Sequence, residues 1–390
     1  MKHLHCPSCN SHKTEEFFRV KNAPVQSVVT VKSYEEAISI PRMDITLAFC
    51  NSCGFIYNSS FDTSIDYYTK GYEDQQGYSP TFKKFITEIT NRFINKYNVR
   101  NKDVVEVGCG KGDFLNLICE LGNNRGIGID PAYVNGRLKP NPNVSFVKEF
   151  YSSEHGKLPN DVIVCRHTLE HIHNTKTFLD TIKQSIQAKN EVIVFFEVPS
   201  IVRILKVQAF WDIFNEHCSY FSPGSLARLF KTSGFEVLDL YQEYEEQYLF
   251  IEARVSQNSS QQIHAIEESI EQLRKHVNEF AIKINHQLNS YKKLLQKLKD
   301  ENKKVALWGG GSKSVGFLTH FDEMKVIKHV VDINPHMQGN YIPGIGIQYV
   351  HPKILHLFKP DTIIIMNAVY KTEIEKMLTE MDLFPELICL

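Results

Sequence analysis

Two hydrophobic patterns alternate along the 390 residues of this chain. Short runs of β-branched residues are separated by stretches in which apolar residues recur every three or four positions. That alternation predicts an α/β arrangement of strands and helices around a largely parallel sheet. In the middle of the chain we expect a seven-stranded Rossmann-like sheet whose last two strands form a hairpin. The predicted strands cover 104–107, 126–129, 144–147, 161–165, 191–198, 235–240 and 248–254.

The same alternation returns near the C-terminus and predicts a second Rossmann-like domain. Before it, apolar residues spaced three to four apart over 261–300 predict one or two long helices. We interpret them as a connector that packs against its own domains, with a coiled-coil partner helix as the alternative. The C-terminal strands cover 305–308, 327–331 and 361–366. The predicted domains are 1–78, 79–256 and 257–390.

A glycine-rich turn follows the first central strand. Gly108, Gly110 and Gly112 stand at every second position, and Glu106 precedes them at the strand end. Asp130 closes the next strand, where an acid accepts hydrogen bonds from ribose hydroxyls. A carboxylate at this place repels a pyrophosphate and favours the cationic S-adenosylmethionine (SAM). We therefore predict a SAM site on a class I methyltransferase sheet; the alternative is a generic glycine turn.

Further side chains at the carboxyl ends of the central strands are candidates for the same cofactor, because ligands of open α/β sheets gather at that edge. After the third strand, an acid and an aromatic residue are placed to read the adenine amino group and to stack on its ring. The fourth strand leads into a segment with an arginine and two histidines. The cofactor candidates are Glu149, Phe150, Arg166 and His171, and we regard His167 and His171 as weaker candidates for a general base.

A second glycine turn, 309–314, follows the first C-terminal strand and carries a lysine in place of an acid. Backbone N–H groups, a helix N-terminus and a cation suit a phosphate. We therefore predict that this turn binds the diphosphate of a nucleotide-activated substrate; the alternative is a degenerate duplicate that only supports the first domain. The candidate substrate-binding residues are Gly310, Gly311, Lys313, Asp332 and Tyr370.

Two Cys-x-x-Cys pairs near the N-terminus predict a structural zinc site. Cys6 and Cys9 form one pair, and Cys50 and Cys53 form the other. Each pair places two thiolates on one turn, and two such turns supply the tetrahedral Cys₄ set of a closed Zn²⁺ site. Paired disulfides and a redox Cys-x-x-Cys are the alternatives. The apolar segments between the two pairs predict a small sheet.

Two loop segments carry candidate catalytic residues. Glu216 and His217 form an acid–imidazole pair among aromatic residues after the fifth central strand, and histidine titrates near neutral pH. We predict that His217 is a general base, with Tyr220 in the same group; the alternative is that His217 only caps or packs. The tyrosine-rich stretch 67–78, which ends with Tyr78, is interpreted as a lid over SAM or substrate, or as a packed linker.

Composition and charge exclude several classes of protein. Lys and Arg total 44 against 45 Asp and Glu, a formal net charge of -1, which gives no basis for binding a nucleic-acid backbone. No apolar run reaches the ~18–20 residues of a transmembrane helix, and the N-terminus lacks the apolar core of a signal peptide. We expect a cytoplasmic protein that acts on a small molecule, without a membrane or nucleic-acid partner. We expect a monomer, with a dimer as the alternative.

Four motifs occur together in this chain: the two cysteine pairs, the turn at 106–112, the Glu216-His217 pair and the series that begins at 332–335. This layout resembles the three-domain C-methyltransferases of branched deoxysugar biosynthesis, the family of the tetronitrose C-3 methyltransferases. The resemblance spans nearly the whole chain. It implies that His217 takes a proton beside a sugar ketone, that the enolate attacks the methyl group of SAM, and that the C-terminal domain holds much of a nucleotide-sugar.

The chain departs from that family at Phe214, where the family commonly has a tyrosine. It also departs in the sequence of the tyrosine-rich stretch. Both differences lie where the substrate is expected. Three other functions are alternatives: an O- or N-methyltransferase for another small metabolite, a zinc-ribbon RNA-modifying enzyme, and an NAD-dependent oxidoreductase that uses the second glycine turn.

Overall fold

The computed structural model describes residues 5–65, 67, 71–186, 191–256 and 262–390. Part of the tyrosine-rich stretch, 68–70, and the start of the predicted third domain, 257–261, lie outside the described residues. The described ranges contain β-sheets of four, seven and five strands. No helix within them has the length and apolar content needed to cross a membrane.

The N-terminal sheet is antiparallel. Its first three strands are β1 (Thr14–Pro24), β2 (Arg42–Cys50) and β3 (Ile56–Asn58), with helix α1 (Tyr34–Ser39) between the first two. Residues 45–50 are buried without interruption, which is typical of a strand covered on both faces. The predicted small sheet between the cysteine pairs is confirmed. The valine-rich segment 26–32 lies outside its strands and forms isolated bridges instead.

The central sheet is the largest and alternates with helices along the chain. The elements are α2 (Pro80–Tyr97), β4 (Asp103–Val107), α3 (Asp113–Gly122), β5 (Arg125–Ile129), β6 (Val144–Val147), β7 (Val162–Arg166), α4 (Thr175–Ile186), β8 (Ile193–Pro199), α5 (Ile201–Val207), β9 (Ser219–Tyr220), α6 (Pro223–Thr232), β10 (Phe235–Glu243) and β11 (Tyr248–Val255). The sheet order is β10-β11-β8-β7-β4-β5-β6, and only β11 runs antiparallel to its neighbours. The predicted seven-stranded sheet with a terminal hairpin is confirmed.

The C-terminal part contains one long helix and a parallel sheet. Helix α7 (Ile270–Asp300) is a single helix where the sequence predicted one or two. The elements after it are β12 (Val305–Trp308), α8 (Ser312–Phe321), β13 (Ile327–Val331), β14 (Tyr349–Val350), α9 (Leu355–Phe358), β15 (Thr362–Ile365), α10 (Lys371–Glu380) and β16 (Glu386–Cys389). The strand order is β14-β13-β12-β15-β16, which confirms a second Rossmann-like sheet.

Local sequence explains where α2 begins and ends. The Ser79 side chain accepts a hydrogen bond from the Phe82 N–H, and proline occupies the first helical position. Asn98 stops the helix in the left-handed conformation, with φ 49°. The buried residues of α2 recur every three or four positions and pack on the central sheet. The helix therefore starts directly after the described part of the tyrosine-rich stretch and holds its end in place.

One hydrophobic cluster joins the N-terminal and C-terminal sheets through α5 and α7, and a second joins the N-terminal sheet to the central sheet. The Phe280 ring of α7 makes an edge contact with the Phe18 ring of β1, with centroids 5.2 Å apart. The Phe210 ring stacks on Phe317 of α8 at 6.1 Å. The connector helix thus packs against its own domains, as interpreted from the sequence. The strand β9, which lies between α5 and α6 in the chain, pairs with β3 and is the fourth strand of the N-terminal sheet.

Candidate active site

A cavity of about 1290 Å³ lies between the strand ends of the central and C-terminal sheets. Both glycine turns contribute to its lining, together with segment 72–79, which we call the strap. His217 lines it as well. Ligands of open α/β sheets bind at the carboxyl ends of strands. This cavity meets that rule for two sheets at once.

The first glycine turn is shaped by close packing and by Asp130. Gly108 has φ 71°, and a Cβ there would overlap the Thr168 side chain, so only glycine fits. The Gly110 N–H donates to Asp130 Oδ2 at 2.8 Å, and the Ala132 N–H donates to Oδ1 at 2.6 Å. Burial raises the pKa of Asp130 against these two bonds. The structure therefore brings Asp130 to the turn, as the predicted ribose site requires.

Glu106 lies in the floor of the cavity beside this turn. Its side chain is 2% exposed, and Oε2 has no hydrogen-bond partner among the described residues. Burial raises its pKa to about 8, against the attraction of Arg166. A buried carboxylate oxygen without a partner is costly. A cationic ligand such as the ammonium or sulfonium of SAM would satisfy it, so the residues present fit this cofactor.

The remaining cofactor candidates are placed at different depths. Arg166 donates to buried Glu197, and its guanidinium lies 4.4 Å above the Phe114 ring. Phe150 lines the cavity and is 74% exposed. Glu149 lies 3.6 Å from His155, and its side chain is 69% exposed. Arg166 is thus held rigidly at the cavity wall and Phe150 lies at the rim, whereas Glu149 is not part of the cavity lining.

The loop between α5 and β9 places Glu216 and His217 differently, although they are neighbours in sequence. Glu216 Oε1 accepts hydrogen bonds from the backbone N–H and the hydroxyl of Ser27, the latter at 2.9 Å. Burial raises the pKa of Glu216 to about 7 against these bonds. The His217 ring lies 4.1 Å from the Phe214 ring, between centroids, and lines the cavity. Tyr220 is buried, its ring is 6.0 Å from His217, and its hydroxyl has no partner among the described residues.

A group of histidines and acids surrounds the His217 ring. His171 Nδ1 lies 2.9 Å from the Glu216 backbone oxygen, and its ring centroid is 4.8 Å from that of His217. Burial lowers the pKa of His217 well below its usual value, and nearby His171 lowers it further. His167 contacts Glu197 at 3.1 Å. Burial alone would lower the pKa of His167, but the two neighbouring carboxylates raise it to about 9.

The second glycine turn repeats the geometry of the first. The Gly310 N–H donates to Asp332 Oδ2 at 2.6 Å, and a Cβ at Gly310 would lie 2.7 Å from the Tyr349 ring. Lys313 lies in the first turn of α8 and donates to Asp212. Asp212 was not a candidate from sequence. The structure therefore gives Lys313 a counter-ion that the phosphate prediction did not foresee.

Other predicted residues of the second turn also reach the cavity. Gly311 lines it, and a Cβ there would meet nothing within 4 Å. Tyr370 lines it and lies 3.4 Å from Gln76 of the strap through its hydroxyl. Tyr78 lines it with its ring centroid 6.2 Å from His336. The strap therefore contacts the C-terminal unit twice, through Gln76 and through Tyr78.

Sequence reasoning missed the residues that hold the strap. Glu73 is buried and accepts hydrogen bonds from Arg137 at 2.8 Å and from Asn334 at 3.0 Å. Lys111 Nζ donates to the Tyr72 backbone oxygen at 2.9 Å. Arg137 belongs to the central unit and Asn334 to the C-terminal unit. One glutamate thus connects both, and no local pattern in the sequence signals it.

The four predicted zinc ligands lie together. Their Sγ atoms are all within 4.8 Å of one another. The Cys6–Cys53 and Cys9–Cys50 Sγ distances are 3.7 and 3.6 Å. Sulfur atoms around a tetrahedral Zn²⁺ with ~2.3 Å bonds lie about 3.8 Å apart. The donor set and spacing therefore fit a zinc ion.

Comparison with known proteins agrees with this geometry. Residues 80–240 match a family model described as a methyltransferase domain, and residues 248–383 match a C-methyltransferase C-terminal domain. Together these matches cover about three quarters of the chain. The chain therefore contains a methyltransferase domain. Its C-terminal unit is of the kind found in C-methyltransferases.

The curated proteins include a relative from Streptomyces niveus, the C-methyltransferase NovU, which is 32% identical over 146 residues. The match covers 35% of this chain and only 34% of that relative. Among solved structures, a SAM-dependent methyltransferase from Listeria monocytogenes is 13% identical and covers 45% of this chain and 100% of its own, with a TM-score of 0.34. RosA from Streptomyces davawensis is 17% identical and covers 45% of this chain and 56% of its own, with a TM-score of 0.36.

Proposed function

We propose that this protein transfers a methyl group from SAM to a carbon atom of a nucleotide-linked keto-deoxysugar. The observation that carries the proposal is the shared cavity, which His217 lines together with both glycine turns. The central sheet, with the first glycine turn, suits a cationic methyl donor. The C-terminal sheet, with the second glycine turn, suits a phosphate-bearing acceptor.

The size of the cavity supports two ligands. Sites for a single small ligand usually enclose ~300–1,000 Å³, and this cavity exceeds that range at about 1290 Å³. The N–H groups of the second turn, with Lys313 at the start of α8, suit a diphosphate. The name of the relative NovU and the description of the matched C-terminal domain both specify C-methylation, which favours carbon as the acceptor atom.

His217 has the surroundings of a general base. Its pKa is lowered by burial, so the imidazole is neutral and has a lone pair at neutral pH. We propose that His217 removes the proton from the carbon next to the ketone. The electron pair of the broken C–H bond stays on the substrate, which becomes an enolate. SAM, when bound, supplies an electrophilic methyl carbon for that electron pair, and the departing sulfur retains the pair of the broken C–S bond. Glu216 supports the loop through Ser27, and Tyr78 and Tyr220 are assigned to positioning.

We also propose that Cys6, Cys9, Cys50 and Cys53 hold a structural Zn²⁺. Four thiolates leave no open position, so this ion would have no part in the chemistry. Its effect on the site is indirect: β3 follows the second cysteine pair, and Ile56 in it pairs with Tyr220, three residues after His217. A reducing cytoplasm suits this assignment, because all nine cysteines are free. The predicted domains, 1–78, 79–256 and 257–390, are part of the same proposal.

Substitution of His217, together with a measurement of solvent isotope exchange, tests the proposal. His217→Ala should retain SAM binding within about threefold and lose at least a hundredfold in turnover, because general base catalysis contributes ~10²–10⁴. The matched control is His173→Gln, a half-buried ring two residues beyond His171 that stacks on Phe61. In D₂O, the wild type should exchange the hydrogen next to the ketone. Unchanged turnover in His217→Ala contradicts the assignment, and methylation without exchange favours an O- or N-methyltransferase.

A further inference from the structure

Helix α5 carries one charged side chain that lines the cavity. Its first five residues include four that are buried and belong to the hydrophobic cluster shared with α7: Ile201, Val202, Ile204 and Leu205. Arg203 is the exception, because its side chain is 13% exposed and reaches the cavity. A charged side chain in an otherwise apolar stretch needs a partner, since burial of an unpaired charge is costly.

Arg203 shares a carboxylate with the lysine of the second glycine turn. Arg203 Nη1 lies 3.4 Å from Asp212 Oδ2, and Lys313 Nζ donates to Oδ1 of the same side chain. Burial lowers the pKa of Lys313, Asp212 opposes this effect, and the charge of Arg203 lowers the pKa further. The two cations are therefore close enough to repel each other, and they compete for one anion.

This cluster contains more positive than negative charge. Among the described residues, Asp212 is the one acid that forms an ion pair with Arg203 or with Lys313. A guanidinium has five N–H donors, and the single contact of Arg203 is longer than the ~2.7–2.9 Å of a strong charged hydrogen bond. Arg203 therefore has donors left for a second anion, and the cavity is where that anion can bind.

We propose that Arg203 and Lys313 form a two-cation site for a diphosphate, with one cation on each phosphoryl group. This site rests on the proposed function and identifies the part of the acceptor that crosses between the central and C-terminal units. One phosphoryl group suits the N–H groups of the second turn and Lys313. The other suits Arg203, because a guanidinium can make two parallel hydrogen bonds to phosphoryl oxygens.

The charges of the site match such a ligand. A diphosphate that links a nucleoside to a sugar carries one negative charge on each phosphoryl group. Arg203, Lys313 and Asp212 together supply one net positive charge, and the N-terminus of α8 adds ~0.5. Arg203 belongs to the central unit and Lys313 to the C-terminal unit. The bound diphosphate would therefore connect the two units at the cavity that His217 lines.

Calorimetry with inorganic pyrophosphate and inorganic phosphate tests the site without knowledge of the nucleobase. The wild type should bind pyrophosphate at least tenfold more tightly than phosphate. Arg203→Met should lose at least tenfold in pyrophosphate affinity and less than threefold in phosphate affinity, because one phosphoryl group can still use Lys313. Arg203→Lys keeps the charge without the planar fork, so its pyrophosphate affinity should lie between those of the wild type and Arg203→Met.

Three results would overturn the two-cation site. They are equal affinities for the two anions in the wild type, an unchanged pyrophosphate affinity in Arg203→Met, and equal losses for both anions in that variant. The matched control is Lys206→Met on the same helix, whose side chain is 46% exposed and lies 3.9 Å from Glu246. It should change neither affinity. A loss of SAM affinity in Arg203→Met as large as the loss for pyrophosphate would assign Arg203 to the fold instead.

Pyrophosphate binding is independent of the chemistry at His217, because pyrophosphate has no carbon that could be methylated. Failure of the pyrophosphate test overturns the two-cation site and leaves the base assignment of His217 intact. Unchanged turnover in His217→Ala contradicts that base assignment and leaves the two-cation site intact. The two measurements therefore distinguish failure of this site from failure of the proposed function.

Discussion

Lys313 donates to Asp212, so the second glycine turn is tied directly to the central unit five residues before His217. Burial lowers the pKa of Lys313, and the carboxylate of Asp212 opposes that effect. Arg203 lies 3.4 Å from the same carboxylate. A phosphate-bearing acceptor would therefore meet a lysine that already has a counter-ion at the junction of two units.

The first prediction uses the opposite charges of this pair. Lys313→Met should weaken binding of a nucleoside diphosphate at least tenfold, because a partly buried cation is lost from the phosphate site. Asp212→Asn should strengthen it about three- to tenfold, since a competing anion is removed from the cavity. Calorimetry with a nucleoside diphosphate measures both, and binding of the nucleoside without phosphates should change little in either variant.

Two outcomes would contradict the diphosphate assignment. Equal losses for the nucleoside and its diphosphate in Lys313→Met would indicate that the lysine only supports the fold. Weaker binding in Asp212→Asn would indicate that the intact ion pair, and not the lysine alone, shapes the site. Asp322→Asn is a matched control, because that acid pairs with exposed Lys325 in the short turn at the other end of α8.

The second prediction concerns the cysteine cluster. Cys53→Ser removes one ligand of the proposed Zn²⁺, and structural zinc contributes folding free energy outright. We expect a lower Tm and a fall in kcat of at least tenfold, because β3 pairs with Tyr220 next to the catalytic loop. The SAM dissociation constant should change less than kcat. Cys389→Ser, in the last strand and outside the cluster, should leave Tm, zinc content and kcat unchanged.

The third prediction is a pH dependence of SAM binding through Glu106. Its pKa is raised to about 8 by burial, so the carboxyl is largely protonated at pH 7 in the free protein. A bound cation favours the carboxylate, and SAM binding must therefore release a proton below pH 8. The affinity should rise with pH, by up to about tenfold per unit, and level off above pH 8.

The variant Glu106→Gln isolates this contribution. It should bind SAM more weakly above pH 8 and show no rise of affinity between pH 6 and 8. The α-ammonium of SAM itself titrates near ~7.7–8.0, and its deprotonation would weaken binding as pH rises. That effect has the opposite sign and remains in the variant. A parallel rise in wild type and variant would therefore exclude Glu106 as the titrating group.

Local patterns predicted much of this fold. The glycines of both turns, the acids Asp130 and Asp332 and the seven central strands follow from periodicity over a few residues, and each is where it was expected. The strand β14 was missed because it has two residues, too few to show any period. Helix α7 was recognised because its buried stripe, from Leu273 to Leu298, runs over about seven turns.

The contacts that assemble the site could not be predicted in the same way. Ser27 reaches Glu216 across 189 positions, and Lys313 reaches Asp212 across 101. Neither pair belongs to a repeat or a motif, because each depends on how separate sheets pack. The Glu216-His217 pair suggested that the acid shifts the pKa of the neighbouring histidine. In the structure the Glu216 carboxylate accepts hydrogen bonds from Ser27 instead. Neighbouring positions in the sequence therefore did not imply a contact between the carboxylate and the His217 ring.

The last prediction concerns Glu73, which joins the strap to both units. Its carboxylate accepts from Arg137 and Asn334, and its backbone N–H donates to Val28. Glu73→Gln retains one acceptor but leaves Arg137, whose side chain is 17% exposed, without its anion. Removal of one partner of a buried charge pair costs about 3–5 kcal/mol, so we expect the strap to detach more often.

Detachment of the strap should raise KM for SAM and for the acceptor together, because Tyr78 and Gln76 line the cavity shared by both. Limited proteolysis within 72–79 should become at least fivefold faster in Glu73→Gln, and saturating ligands should restore protection. Asp74→Asn is the matched control: its carboxylate lies 3.8 Å from Lys111 but is 44% exposed, and exposed pairs contribute little. A rise in the KM of one ligand alone would indicate that Glu73 supports a single unit, and equal effects in both variants would assign the change to net charge.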